Sequence, residues 1–221
     1  MNWLQYNTEH YILFYHSGSI AEKDILQIAE WQECCYQRLS RELDMALNQP
    51  TRMYLCDSAN EIAHITGCPP SNGMTFDYDL IYAVYNDKIH CLGPHEDAHI
   101  FSYQIALPTS FFLREGFAMY FDESYHGKRN IEITNNWLNS NKSFSVTSLM
   151  DNKVFHSLPE EITYPLAGAF TEWIVQQYGI SKYLEIYRNE GDFNAILSVP
   201  PSEVDILFRS VIDDNLHGVL E

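Results

Sequence analysis

The spacing of apolar positions changes along the chain. His10 to His16 reads HYILFYH, apolar and aromatic almost throughout, which is the pattern of a short strand. From Ile25 the apolar residues fall at three- and four-residue steps: Ile25, Ile28, Ala29, Cys35, Tyr36, Leu39, Leu43 and Leu47. That spacing predicts a helix with one buried face. Ser19 and Glu22 form a capping box at its start, and Asn48-Gln49-Pro50 ends it. Arg52 to Cys56 returns to a strand pattern. Ser58 and Glu61 make a second capping box, and Gly67 suits the position just past a helix end, so a short helix lies between them. Pro69, Pro70, Asn72 and Gly73 predict a loop. Leu80–Tyr85 and Lys88–Leu92 predict two strands paired around Asn86-Asp87, with Gly93 breaking the second.

Beyond Gly93 the period is helical. Pro94 suits the first turn of a helix, where no intrahelical donor is needed, and that helix runs to about Ala106. Leu107-Pro108 interrupts, and Thr109 or Ser110 caps a second helix carrying Phe112, Glu115, Gly116, Met119 and Asp122. Ser124 to Asn130 reads as loop, Asn130 to Ser143 as a loose helix or long loop, and Thr147 to Asp151 as a turn. Thr163–Tyr178 carries a stripe of Leu166, Phe170, Trp173, Ile174 and Tyr178, closed by Gly179. Ser181–Glu190 follows, then a last helix from Ser202 with Val204, Leu207, Phe208 and Val211 inward. The expected fold is α+β: an N-terminal small mixed sheet with helices over about 1–106, and a mainly helical C-terminal lobe over about 107–221. Both belong to one domain, with the helix after Pro94 at the join.

That helix carries the chemistry. His95-Glu96-Asp97-Ala98-His99 is an HExxH pattern. On a helix the two histidines project from one face about one turn apart, where a single zinc ion can accept both. Glu96 stands about 100° round and reaches a water beside the metal without being a ligand. Glu115, on the next helix, is placed to return a carboxylate. Two His and one Glu leave a fourth zinc position open, the catalytic arrangement. The chemistry expected is peptide hydrolysis by activated water, with Glu96 as general base and proton donor to the leaving amine. The tetrahedral oxygen needs a second donor; Tyr164 is the candidate and His156 the second.

Composition narrows the partners. The 221 residues carry 30 acidic and 13 basic side chains, a net charge of −17. Such a surface repels nucleic acid and anionic membranes on average, which leaves a peptide or protein substrate. The five cysteines, Cys34, Cys35, Cys56, Cys68 and Cys91, are odd in number and include no CxxC, a poor disulfide framework. Cys35 reads as a core residue of the first helix, and Cys56 and Cys91 as strand residues. A reducing compartment fits. No run of eighteen apolar residues occurs, and MNWLQYNTEHYILFYHSG lacks a basic n-region and a continuous apolar stretch, so the cytoplasm is expected.

The stretch from Pro94 to Asp122 resembles the gluzincin metallopeptidases, the thermolysin-like group whose zinc is held by HExxH and a downstream Glu. More narrowly, LREGFAMYF looks like the segment around the third ligand in small peptidase-MA-like domains. Ile65-Thr66-Gly67 and the run from Tyr164 to Gly179 also resemble parts of that family, so the likeness covers about Tyr11 to Arg188. It implies a zincin-like fold and a zinc peptidase with His95, His99 and Glu115 as ligands and Glu96 as base. It also implies that Leu80–Tyr85 is the edge strand that pairs with an extended substrate.

Three positions depart from the family pattern. Asp97 stands where an apolar residue is usual, Pro94 replaces helical residues, and Met119 stands where an Asp often orients a zinc histidine; Asp122 lies on the same helix face. These motivate a second reading, a weakly active or inactive peptidase-fold module that binds or regulates.

Overall fold

Strand β2 (Tyr11–His16) buries Tyr11, Leu13 and Tyr15 and leaves the alternate positions half-covered. A period of two is what a sheet with one closed face requires. The computed structural model of the chain describes residues 3–217. It is α+β, with a small mixed sheet and many helices, in two compact units, Met1–Gln104 and Ile105–Glu221.

In the first unit β1 (Trp3–Asn7) pairs antiparallel with β2. Helix α1 (Ile20–Leu43) then crosses to β3 (Thr51–Cys56), parallel to β2. Helix α2 (Ala59–Thr66) leads to β4 (Gly73–Phe76) and β5 (Leu80–Val84). β5 lies parallel to β3 and antiparallel to β4, giving the order β1-β2-β3-β5-β4. The unit closes on α3 (Pro94–Ile105). The inward face of the sheet carries Leu13, Met53, Leu55, Ile81 and Ala83, all at or near zero exposure. On the other face Phe14, Tyr54 and Tyr82 stack across three strands at 4.4 and 5.2 Å.

The caps form where the sequence places them. Ser19 Oγ accepts from Glu22 N–H at 3.1 Å, and Glu22 Oε2 accepts from Gly18 N–H at 2.6 Å. Ser58 Oγ accepts from Glu61 N–H at 3.2 Å, and Gly67 takes the left-handed conformation that ends α2. Helix α1 stops four residues before Leu47. Asp44 turns left-handed at φ 49° and returns its N–H to Ser40, while Leu47 N–H donates to the Tyr36 hydroxyl at 3.0 Å.

Three strand expectations need correction. Leu80–Tyr85 is not an edge: β5 has a partner on each side, and β4 holds the edge. Gly73, read as the end of a loop, opens that edge strand, Gly73–Phe76. Lys88–Leu92 is not a strand. The Asn86 side chain accepts the N–H groups of Lys88 and Ile89, and the hairpin reduces to one bridge, Tyr85 to His90. Cys91 therefore sits outside a strand and half-buried. Strand β1 was also unforeseen, since none of its residues is buried.

The second unit begins with α4 (Phe111–Asp122). A two-residue hairpin follows, β6 (Ser124–Tyr125) and β7 (Lys128–Arg129), turned by His126 and Gly127 at positive φ. The polar run beyond it is helix α5 (Asn130–Ser140). A 3-10 turn (Val146–Met150) and α6 (Asn152–Phe155) lead into α7 (Glu160–Tyr178). Helices α8 (Ile180–Arg188), α9 (Phe193–Leu197) and α10 (Pro201–His217) complete the chain. The most extensive pairing is α4 on α7. It is tight because Gly116 presents no side chain to Ala167 and Thr171, and Gly168 none to Met119 and Asn130.

Two predictions follow from this packing. At an exposed helix position Gly→Ala stabilises by about 1 kcal/mol. At Gly116 the new Cβ would stand 2.6 Å from Thr171 Oγ1 and 2.9 Å from the Ala167 carbonyl. Gly116→Ala is therefore expected to destabilise by about 1–3 kcal/mol, read as a lower denaturation midpoint. The second concerns Glu33, which accepts His10 N–H at 2.9 Å and meets His10 Nδ1 at 2.6 Å. Burial pushes its carboxyl up, but hydrogen bonds from Thr8 and His10 outweigh this and hold it below the ordinary 4.5. A depressed carboxyl contributes stability above its unfolded value and loses it as pH falls through the folded one. Glu33→Gln should thus flatten the fall in stability below about pH 4.5, measured by urea denaturation across pH 3–6.

Candidate metal centre

Helix α3 starts at the motif. Gly93 takes φ 132°, outside the range of ordinary side-chain-bearing residues, and Pro94 opens the first turn. Glu96 and Asp97 fall in that turn, where the helix dipole favours acid. His95 is half-buried and His99 buried, with ring centroids 5.1 Å apart and planes at 82°. An ion with Zn–N bonds of about 2.0–2.1 Å can be shared across such a separation.

Glu96 stands against the edge strand. Thr75 Oγ1 donates to Glu96 Oε2 at 2.6 Å and lies 3.2 Å from the Glu96 carbonyl. A methyl group at Gly73 would collide with Glu96 Oε1 and crowd Cys91 Sγ.

Asp97 turns inward. It is buried, and Gln32 Nε2 donates to its Oδ2 at 2.9 Å. The other half of the Gln32 amide accepts Gly93 N–H at 3.0 Å. Burial pushes the Asp97 carboxyl up to about 8; the nearby Tyr11 hydroxyl and the bond from Gln32 oppose this, and the Glu96 charge adds to it. Burial also raises the Tyr11 phenol, with Asp97 the next cause.

Glu115 lies in α4, buried, one residue before the glycine that seats α4 on α7. The structure groups His95, His99 and Glu115: each offers one ligand atom, and those atoms lie within 4.8 Å of one another. Two imidazole nitrogens and a carboxylate oxygen are a donor set that zinc accepts. Tyr164 and His156 are not in that group. Tyr164 sits in the second turn of α7, its ring 6.1 Å from Phe155 and 6.5 Å from Tyr125. His156 ends α6, edge-on to Phe111 at 4.7 Å. Asp122 is the last residue of α4. A second group of possible ligands, His16, Asp57 and Glu61, joins the end of β2 to the start of α2. There Glu61 Oε2 accepts Asp57 N–H at 2.8 Å and Oε1 meets His16 Nε2 at 2.5 Å.

Three residues about the motif escaped the sequence reading: Gln32, Thr75 and Gly73. Gln32 did carry a signal, since it is a polar residue on the apolar face of α1, between Ile28 and Tyr36. Gly73 read only as the end of a loop, and Thr75 fell in a stretch with no predicted element. No family model matches the chain, and no curated protein matches it.

The Gln32 bridge makes a prediction. Gln32→Leu leaves two buried groups, Gly93 N–H and the Asp97 carboxyl, without their partner. The expected cost is about 2–6 kcal/mol, since each unsatisfied buried polar group costs about 1–3 kcal/mol. An unchanged urea midpoint would show the bridge to be dispensable.

Proposed function

We propose that the protein is a zinc-dependent metallopeptidase with a zincin-like fold, of the gluzincin type. The observation that carries this reading is the arrangement on α3. Two imidazoles stand one turn apart, and the glutamate next to the first is fixed by a hydrogen bond from the edge strand. His95, His99 and Glu115 would hold the metal. Zinc in such a set supplies Lewis-acid activation of a water and of the scissile carbonyl.

The chain's own residues do the rest. Glu96 accepts the proton of the attacking water on a carboxylate oxygen and passes it to the leaving amine. Tyr164 is the proposed donor to the oxygen of the tetrahedral intermediate. The substrate is a peptide or protein, which fits the net charge of −17 better than a nucleic acid does. None of the five cysteines is in a disulfide, and among the described residues no helix is long and apolar enough to cross a membrane. Both fit a reducing, aqueous compartment such as the cytoplasm.

The test is metal content and hydrolysis together. Protein purified without chelator is expected to carry about one zinc per chain. Glu96→Gln should retain that zinc and lose peptide cleavage by about 100-fold or more. Cleavage by the variant at the wild-type rate would sink the mechanism. Zinc uptake with peptide binding and no product would assign the binding module instead.

A further inference from the structure

Gly73 and Thr75 lie two apart on β4, so they face the same side of the sheet. Glu96 stands on that side. Thr75 donates to Oε2 at 2.6 Å, the length of a hydrogen bond to a charged carboxylate. Gly73 lies under Oε1, where no Cβ fits. The backbone does not demand glycine here, because Gly73 is not among the residues at positive φ. Space for the carboxylate does. The intervening residues face away: Met74 packs on the Cys56, Ile62 and Val84 cluster, and Phe76 meets Tyr82 edge-on at 5.9 Å.

The strand is itself held in register. Gly73 lies opposite Ala83 and Thr75 opposite Ile81. Val84 N–H donates to the Asn72 carbonyl at 2.8 Å, and Ser71 Oγ to the Gly73 carbonyl at 2.6 Å. Thr75 is also β-branched, which restricts the direction of its hydroxyl. A glutamate in the first turn of a helix has several rotamers of similar energy. A donor from a second, registered element selects one.

We propose that β4 is the positioning element of the general base: Thr75 fixes the Glu96 carboxylate through Oε2, and Gly73 leaves the room that Oε1 occupies. Thr75 is a positioning residue; it does not touch substrate. The inference rests on the peptidase reading for its effect on catalysis, while the placement of Glu96 is testable without it.

Two readouts on Thr75→Val, Thr75→Ser, Gly73→Ala and Glu96→Gln separate the two claims. The first is carbon-13 NMR of metal-free protein labelled at the glutamate carboxyl carbon, with the signal absent from Glu96→Gln assigned to Glu96. That signal should move in Thr75→Val and Gly73→Ala and stay in place in Thr75→Ser. The second is hydrolysis of a peptide library by the zinc-loaded proteins. Thr75→Val should lower kcat by about 10–100-fold at unchanged KM and unchanged zinc content, and Thr75→Ser should restore most of it. A Glu96 signal indifferent to Thr75→Val overturns the positioning role. So does wild-type kcat in that variant. A wild-type protein that cleaves nothing overturns the peptidase reading, and the NMR series still decides the placement. Should Thr75→Val fail to fold, Thr75→Ala against Thr75→Ser carries the same comparison.

Discussion

Gln32 is fully buried and uses both halves of its amide on one helix terminus. Its Oε1 takes the N–H of Gly93 just before α3, and its Nε2 gives to Asp97 in the first turn. A helix start leaves backbone N–H groups without intrahelical acceptors, so it is the part of a helix most free to fray or shift register. Here the start is also where His95 and Glu96 lie. A slip of one residue would rotate each side chain by about 100°, carrying the imidazole off its face and Glu96 off the edge strand. The position of the motif thus depends on an amide contributed by α1, about sixty residues earlier in the chain.

This gives Asp97 a physical reason. A carboxyl at a buried position costs free energy, and burial accordingly pushes it up to about 8. An apolar residue there would pack at less cost. It would also leave the Gln32 Nε2 without an acceptor, and so loosen the bridge that fixes the turn. Asp97 is then an anchor for the helix start and stands off the face that carries His95 and His99. His95 and His99 project on one side of α3 and Asp97 toward α1 and β2, consistent with the angular spacing of the motif.

Much of this was legible in the chain, and the pattern of what was not is itself physical. Helices α1 and α7 announced themselves because a period near 3.6 persists over many residues, with Ser19 and Gly179 at their ends, and the short α2 because Ser58 and Gly67 mark its two ends. The pairing of His95 with His99 was legible for the same reason: i and i+4 on a helix is a local relation. Strand β4 was not, being four residues long with no fully buried position and opening on glycine. The predicted partner of Leu80–Tyr85 failed because the Asn86 side chain caps the turn locally and releases Lys88–Leu92 from the ladder. Both misses fall on the sheet edge, and there the contacts to Glu96 went unseen. A bond spanning 21 residues, such as Thr75 to Glu96, leaves no period in the sequence.

The third proposed ligand is held by a different device. Glu115 is buried on α4, and its neighbour Gly116 lets α4 approach α7 until a Cβ would strike the Ala167 carbonyl. Close helix packing of this kind removes rotational slack, because the absence of a side chain is what permits the contact and any turn of α4 would break it. Thr171 Oγ1 donates to Tyr183, and the Tyr183 hydroxyl reaches the Leu113 carbonyl at 3.2 Å, tying the same turn of α4 to α7 and α8. The histidines are therefore fixed by a polar bridge at a helix end, and the glutamate by steric closeness at a helix middle. Loss of the Gln32 donor is expected to loosen the first, and one carbon added at Gly116 the second.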